Sequence, residues 1–148
     1  MTRKEDSEDK FDSMPFFALI HHISKNRLKY IRKNPNQVDM VHEGRYLIVI
    51  HEKKNLSQDE IANIFGQSKG TIAKALRKLE DKGYVKRKVD EKNRRKYILK
   101  TTKKGDDLAI LLINEFNEWE EKVGIGELDD ETKHKLIEIA RKSEEILE

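Results

Sequence analysis

Ser68, Lys69, Gly70, Thr71, Lys74 and Arg77 fall within one short stretch, and Lys92, Arg94 and Arg95 fall within a second. These are hydroxyls, ammonium groups and guanidinium groups around one residue that has no side chain. Such a set donates hydrogen bonds and positive charge. Its natural acceptors are phosphate oxygens and the edges of bases, since guanidinium and ammonium groups match both. The wider charge pattern agrees. Residues 56–105 carry 15 Lys/Arg against 6 Asp/Glu, a balance of +9, while residues 106–148 carry 5 against 14, a balance of −9. Residues 1–55 carry 11 against 8. A basic middle beside an acidic end suits a module that binds a polyanion, joined to a part kept away from it. The plain alternative is a patchwork of solvated faces.

To present these side chains together, the chain needs a short helix, a tight turn, a second helix and a rigid hairpin. The sequence supplies signals for each. Ser57 and Glu60 have the spacing of a capping box ahead of Ile61, Ala62, Ile64 and Phe65, and Gly66 ends that helix. Ser68 caps the next, which runs from Lys69 to about Lys82, buries Ile72, Ala75, Leu76 and Leu79, and closes at Gly83. At about 100° per residue, the face opposite that stripe holds Gly70, Lys74 and Arg77. Tyr84–Val89 and Arg95–Lys100 read as two strands joined by a turn over residues 90–94. Two helices with a tight turn and a basic hairpin make a winged helix-turn-helix. An ordinary core helix with a solvated basic face, and a hairpin that only packs on the helices, are the alternatives.

The flanks read as helices. Residues 1–12 are polar apart from Phe11 and are expected to form a flexible tail. Ser13 is expected to cap a helix that admits Pro15 in its first turn, carries Phe16, Leu19, Ile20, Ile23, Tyr30 and Ile31 with Leu28 off the stripe, and ends near Lys33 before Asn34-Pro35-Asn36. A second helix spans about Val38 to His51. After Gly105, a long helix carries Leu108, Leu111, Leu112, Phe116 and Trp119 up to Gly124 and Gly126. A last helix, capped by Asp129 or Asp130, carries Leu136, Ile137, Ala140, Ile146 and Leu147. The expected fold is mainly α with a small β-hairpin wing, in three parts: the tail 1–12, a helical dimerisation region 13–36 and 106–148, and the winged module 37–105. The apolar stripes on the flanking helices exceed what the winged module can cover, so a second copy of the chain is the natural cover. Packing within a monomer is the alternative.

Several function classes drop out. There is no cysteine, which excludes disulfides, Cys-based zinc modules and thiol chemistry. No apolar run approaches the roughly 18 residues of a membrane span. The first residues lack a signal-peptide apolar region, so a cytoplasmic location is expected. No nucleophile–base motif, phosphate loop or HExxH spacing points to an enzyme. No cofactor is implied.

The run Leu56-Ser57-Gln58-x-x-Ile61-Ala62, Ser68-Lys69-x-Thr71, Leu79-Glu80-x-x-Gly83-Tyr84-Val85-x-Arg87 and Asp90-x-x-Asn93-Arg94-Arg95…Gly105 resembles the multiple antibiotic resistance regulator (MarR) family over about residues 44–105. That resemblance implies a homodimeric regulator whose two winged modules engage a palindromic operator of double-stranded DNA, as a repressor in preference to an activator. It implies recognition-helix contacts from Ser68, Lys69, Thr71 and Lys74, and a minor-groove arginine at Arg95. Gly70, Arg77, Lys92 and Arg94 join the DNA-binding set from their positions. Dimerisation is assigned to Phe16, Leu19, Ile20, Ile23, Leu112, Phe116, Trp119, Leu136, Ile137 and Ala140.

The resemblance also implies a small aromatic effector. Phe17, Arg45 and Tyr46 are candidates to line its pocket, with core packing as the rival role of the aromatics. The family commonly has an aspartate where Asn93 stands, and Thr101-Thr102 replaces a leucine-threonine pair but still offers a helix cap. His21, His22, His42, Glu43, His51 and His134 have poor spacing for a metal centre, so none is expected; a metal-responsive regulator is a rival reading. A winged module that binds RNA or a protein is another.

Overall fold

The computed structural model describes residues 9–33 and 42–147. In chain order these form α1 (Phe16–Arg32), α2 (Gly44–Lys53), α3 (Gln58–Phe65), α4 (Lys69–Asp81), β1 (Val85–Val89), β2 (Tyr97–Thr101), α5 (Lys103–Val123), a 3-10 turn (Ile125–Glu127) and α6 (Asp130–Glu145). The fold is mainly helical with one antiparallel two-stranded hairpin, as expected. None of the described helices is long and apolar enough to cross a membrane.

The local signals around the turn act as read. Ser57 Oγ accepts the Glu60 N–H at 3.2 Å while Glu60 Oε2 accepts the Ser57 N–H at 2.7 Å, closing the capping box. Gly66 ends α3 at φ 56°, a left-handed conformation that glycine adopts without a side-chain clash. Ser68 Oγ accepts the Thr71 N–H at 3.2 Å and starts α4. Ile72, Leu76 and Leu79 are fully buried beneath it, with Leu47 and Ile50 of α2 and Leu112 of α5 in the same core.

Other boundaries moved for identifiable reasons. Ser13 does not cap α1: Pro15 holds the cap position and its carbonyl accepts the N–H groups of Ala18 and Leu19. Residues 9–13 form a turn, and the Phe11 ring meets His22 edge-on at 5.2 Å, so the part of the expected tail that is described packs against α1. Residues 1–8 of that tail, the breaker at 34–36 and the expected start of the second helix at Val38 lie outside the described residues. Leu28 is not idle: it packs against the core beside the fully buried Ile31.

Helix α2 runs to Lys53, two residues past His51, because no breaker intervenes before Lys54 and Asn55 take φ of 51° and 56°. The strands are shorter than read at their N-terminal ends. Asp90 N–H donates to the Lys96 carbonyl and Lys96 N–H to the Asn93 carbonyl, so Arg95 and Lys96 belong to the connecting turn. Leu99 N–H donates to the Leu56 carbonyl at 2.8 Å, a pairing that the sequence did not announce. Helix α5 begins at Lys103, before Gly105, because Thr102 caps it by accepting the Gly105 N–H at 3.1 Å. Asp129 caps α6 on the Thr132 N–H at 2.6 Å.

A polar clasp ties α2, β2 and α5. The Asp106 carboxylate accepts the Thr101 hydroxyl and lies 2.7 Å from His51 Nδ1. The Thr101 hydrogen bond, then that of His51, holds its pKa below the usual carboxylate value. A pKa lowered by folding means stabilisation that is complete above the unfolded carboxylate value and lost as pH falls through the folded one. Asp106→Asn should therefore cost about 1 kcal/mol at neutral pH, a modest figure because the side chain is 42% exposed. Stability curves of the two proteins should converge below about pH 4. A gap that persists in acid would mean that Asp106 acts by packing alone.

Candidate nucleic-acid interface

The first turn of α4 is an arrangement of free or lightly held donors. Thr71 Oγ1 lies 2.9 Å from Ser68 Oγ, and Lys69 Nζ makes an exposed 3.3 Å pair with Asp59 Oδ1 that water will screen. Lys74 and Arg77 are exposed on the face opposite Ile72, Leu76 and Leu79, with no carboxylate partner among the described residues. A Cβ built on Gly70 meets no atom within 4 Å. Nothing inside the fold requires glycine there.

The wing is braced at its base and open at its tip. Arg87 Nε donates to Glu80 Oε1 of α4 at 2.7 Å, and Lys96 Nζ lies 3.7 Å from Glu60 Oε2 of α3. Glu60 thus serves as helix cap and wing anchor. Its carboxyl is held below the ordinary range first by the Ser57 backbone N–H and then by the Ser57 hydroxyl. Sequence reasoning missed this bracing, although Glu80 and Arg87 both stand within the family-like pattern. At the tip, Asn93 Oδ1 accepts the Arg95 backbone N–H at 3.2 Å, and Asp90 Oδ1 accepts that of Lys92 at 3.0 Å. These bonds shape the backbone and leave the side chains of Lys92, Arg94 and Arg95 exposed without a carboxylate partner among the described residues. The amide of Asn93 accepts from the main chain of Arg95 and not from its guanidinium. A basic helix face and a basic tip on a rigid hairpin can hold a polyanion.

The model of the MarR family matches residues 42–97. A transcriptional regulator with a helix-turn-helix, BilQ of Clostridium symbiosum (strain WAL-14163), is 32% identical over 66% of this chain and 67% of its own length. The crystal structure of MarR is 30% identical, covers 91% of this chain and 92% of that one, and superposes with a TM-score of 0.69. The chain belongs to the MarR family. The fold is also that of MepR from Staphylococcus aureus in its complex with DNA, at 22% identity, 91% and 99% coverage and a TM-score of 0.71. These MarR-family relatives are regulators, not enzymes.

The remaining expected sites divide. On α1, Phe16, Ile20 and Ile23 are 59%, 46% and 49% exposed, and Leu19 is half-buried. Helix α6 buries no residue at all; Leu136, Ile137 and Ala140 lie open. Together with Trp119 and Leu128, these two helices line an open apolar groove of about 940 Å³. Trp119 is nearly buried, and Phe116 packs against the core under the Arg27 guanidinium at 5.2 Å. Leu112 does not belong with this set. It is fully buried inside the chain's own core and has no surface left for a partner.

The expected effector pocket does not assemble. Phe17 is 76% exposed on α1 and does not line the groove that holds Arg45 and Tyr46, which lies against α4 instead. Tyr46 is a core residue. Two of the histidines have polar partners: His42 Nε2 accepts from Arg32 Nη2 at 2.6 Å, and His51 is tied to Asp106. No group of three or more metal-capable side chains forms among the described residues.

Proposed function

We propose that this MarR-family chain is a homodimeric transcriptional regulator that binds a palindromic operator of double-stranded DNA, with α4 in the major groove and the wing in the minor groove. The observation that carries this reading is the unpartnered basic face of α4, Lys74 and Arg77 around an unobstructed Gly70, beside an equally unpartnered wing tip. An α-helix fills a major groove, and arginine enters a narrow minor groove through its enhanced negative potential. Ser68, Lys69 and Thr71 meet phosphates and base edges at the helix start, Lys74 and Arg77 follow along the groove, and Lys92, Arg94 and Arg95 extend the contact through the wing.

The exposed apolar faces of α1 and α6 support the dimer, since a large apolar groove on a polar chain calls for cover. Two linked reading heads bind far more tightly than one, and a change in their spacing removes that gain. Repression then follows from occupancy of a promoter, and release from a small aromatic effector that alters the spacing. The test is to sequence the genomic fragments retained by the purified protein and to footprint the enriched site. Two-fold symmetric protection on duplex DNA is expected. Preference for single strands, or no enrichment, would contradict the reading.

A further inference from the structure

We propose that Arg45 of α2 is a backbone-phosphate contact, seated in a groove that continues the reading face of α4. This rests on the DNA-binding reading above. The groove, about 540 Å³, is walled on one side by His42, Arg45 and Tyr46 and on the other by Thr71, Lys74 and Arg77. Glu43, Lys78 and Asp81 lie along it as well, but Glu43 Oε1 holds Lys78 Nζ at 2.9 Å, so that pair cancels. What remains is Arg45, Lys74 and Arg77 against Asp81, a positive groove.

Arg45 is exposed yet held in place. Its guanidinium lies 4.7 Å from the Tyr46 ring centroid and 5.6 Å from that of Phe65. Its Nη2 donates to Tyr46 Oη at 2.7 Å, and the Tyr46 hydroxyl in turn donates to Gln67 Oε1 in the turn before α4. One of five N–H donors is spent in this way, and no carboxylate among the described residues takes the others. A guanidinium stacked and aimed in advance, with a free fork of donors, fits a phosphate. Arg45 stands on α2, outside the reading helix and across the groove from Thr71, Lys74 and Arg77, which puts it at a phosphate flanking the major groove and not at a base. The Tyr46–Gln67 link fixes this contact to the turn that sets the angle of α4.

Salt titrations of wild type, Arg45→Gln, Arg45→Lys and Lys74→Ala on operator and random duplexes test this directly. Arg45→Gln should lower the log–log salt slope by about 0.9 for each phosphate no longer neutralised, equally on both duplexes. The wild-type advantage should then shrink about 3.5-fold per phosphate between 50 and 200 mM salt. Arg45→Lys should restore the slope but only part of the affinity, because an ammonium keeps the charge and loses the fork. An Arg45→Gln slope equal to wild type, with Lys74→Ala impaired, overturns the phosphate seat and leaves the function intact. Equal affinity losses in Arg45→Gln and Arg45→Lys at unchanged slope also overturn it, because they show a purely structural role. Failure of the wild type to bind either duplex overturns the DNA reading itself.

Discussion

Gly105→Ala is expected to destabilise the chain by about 3 kcal/mol, the upper end for inserting a methyl group into a packed site. A Cβ at residue 105 would stand 2.0 Å from the Tyr84 carbonyl oxygen and 2.9 Å from its carbon. Both are backbone atoms that no rotamer change can move. The same carbonyl accepts the Thr102 N–H at 3.0 Å, and Thr102 in turn caps α5 through the Gly105 N–H. Relieving the clash would therefore part the end of α4 and the hairpin from the start of α5. Domains of this size have roughly 5–15 kcal/mol in total, so the loss is a large share. Urea melts followed by circular dichroism measure it, with Gly70→Ala as a control whose new methyl meets open space. An unchanged midpoint for Gly105→Ala would show that this junction is looser than described.

If the chain is the homodimer proposed above, deleting residues 128–148 should yield monomers or aggregates and abolish operator binding at concentrations that saturate the full chain. Helix α6 contributes nothing buried to its own chain, and Leu136, Ile137 and Ile139 are 39%, 46% and 44% exposed. In the proposed homodimer these side chains cover a second copy. The truncated chain keeps α2, α3, α4 and the wing, so a folded reading head should persist while the gain from two linked heads disappears. Sedimentation measures association and a gel-shift titration measures binding. A truncated chain that sediments as a dimer and binds as before would move the dimer interface elsewhere.

What the sequence made legible was short-range. The Ser57–Glu60 box, the Ser68 cap, and the turns at Gly66 and Gly83 involve atoms within a few residues of one another, so spacing alone specifies them. The basic face of α4 followed from the fully buried stripe opposite it. What stayed hidden depended on partners distant in the chain. The stripe on α5 contains Leu112, and periodicity cannot tell whether such a residue faces its own core or a second copy; Gly44 of α2, against which Leu112 packs, decides it. Helix α1 has apolar residues on two adjoining faces, so Leu28 reads as an outlier until Ile31 is seen in the core. Arg45 and Tyr46 read as pocket residues because their neighbours on α4 and in the turn at Gln67 are more than twenty positions away. The Leu56–Leu99 pairing and the bracing of the wing by Glu60 through Lys96 were hidden for the same reason, whereas Glu80 and Arg87, seven residues apart, meet only because the turn at Gly83 folds β1 back on α4.

The most direct test of direct reading by α4 and the wing is the affinity of Lys74→Ala and Arg95→Ala, each titrated with salt on operator and random duplexes. On the proposed reading Lys74 meets a base edge, so Lys74→Ala should cost about 1–3 kcal/mol on the operator and little on random DNA. Arg95→Ala should carry a penalty that grows with the A·T content at the wing, where the minor groove narrows. Equal losses on every sequence for Lys74→Ala would contradict base reading by α4, and unchanged affinity in both variants would contradict the winged-helix DNA interface altogether.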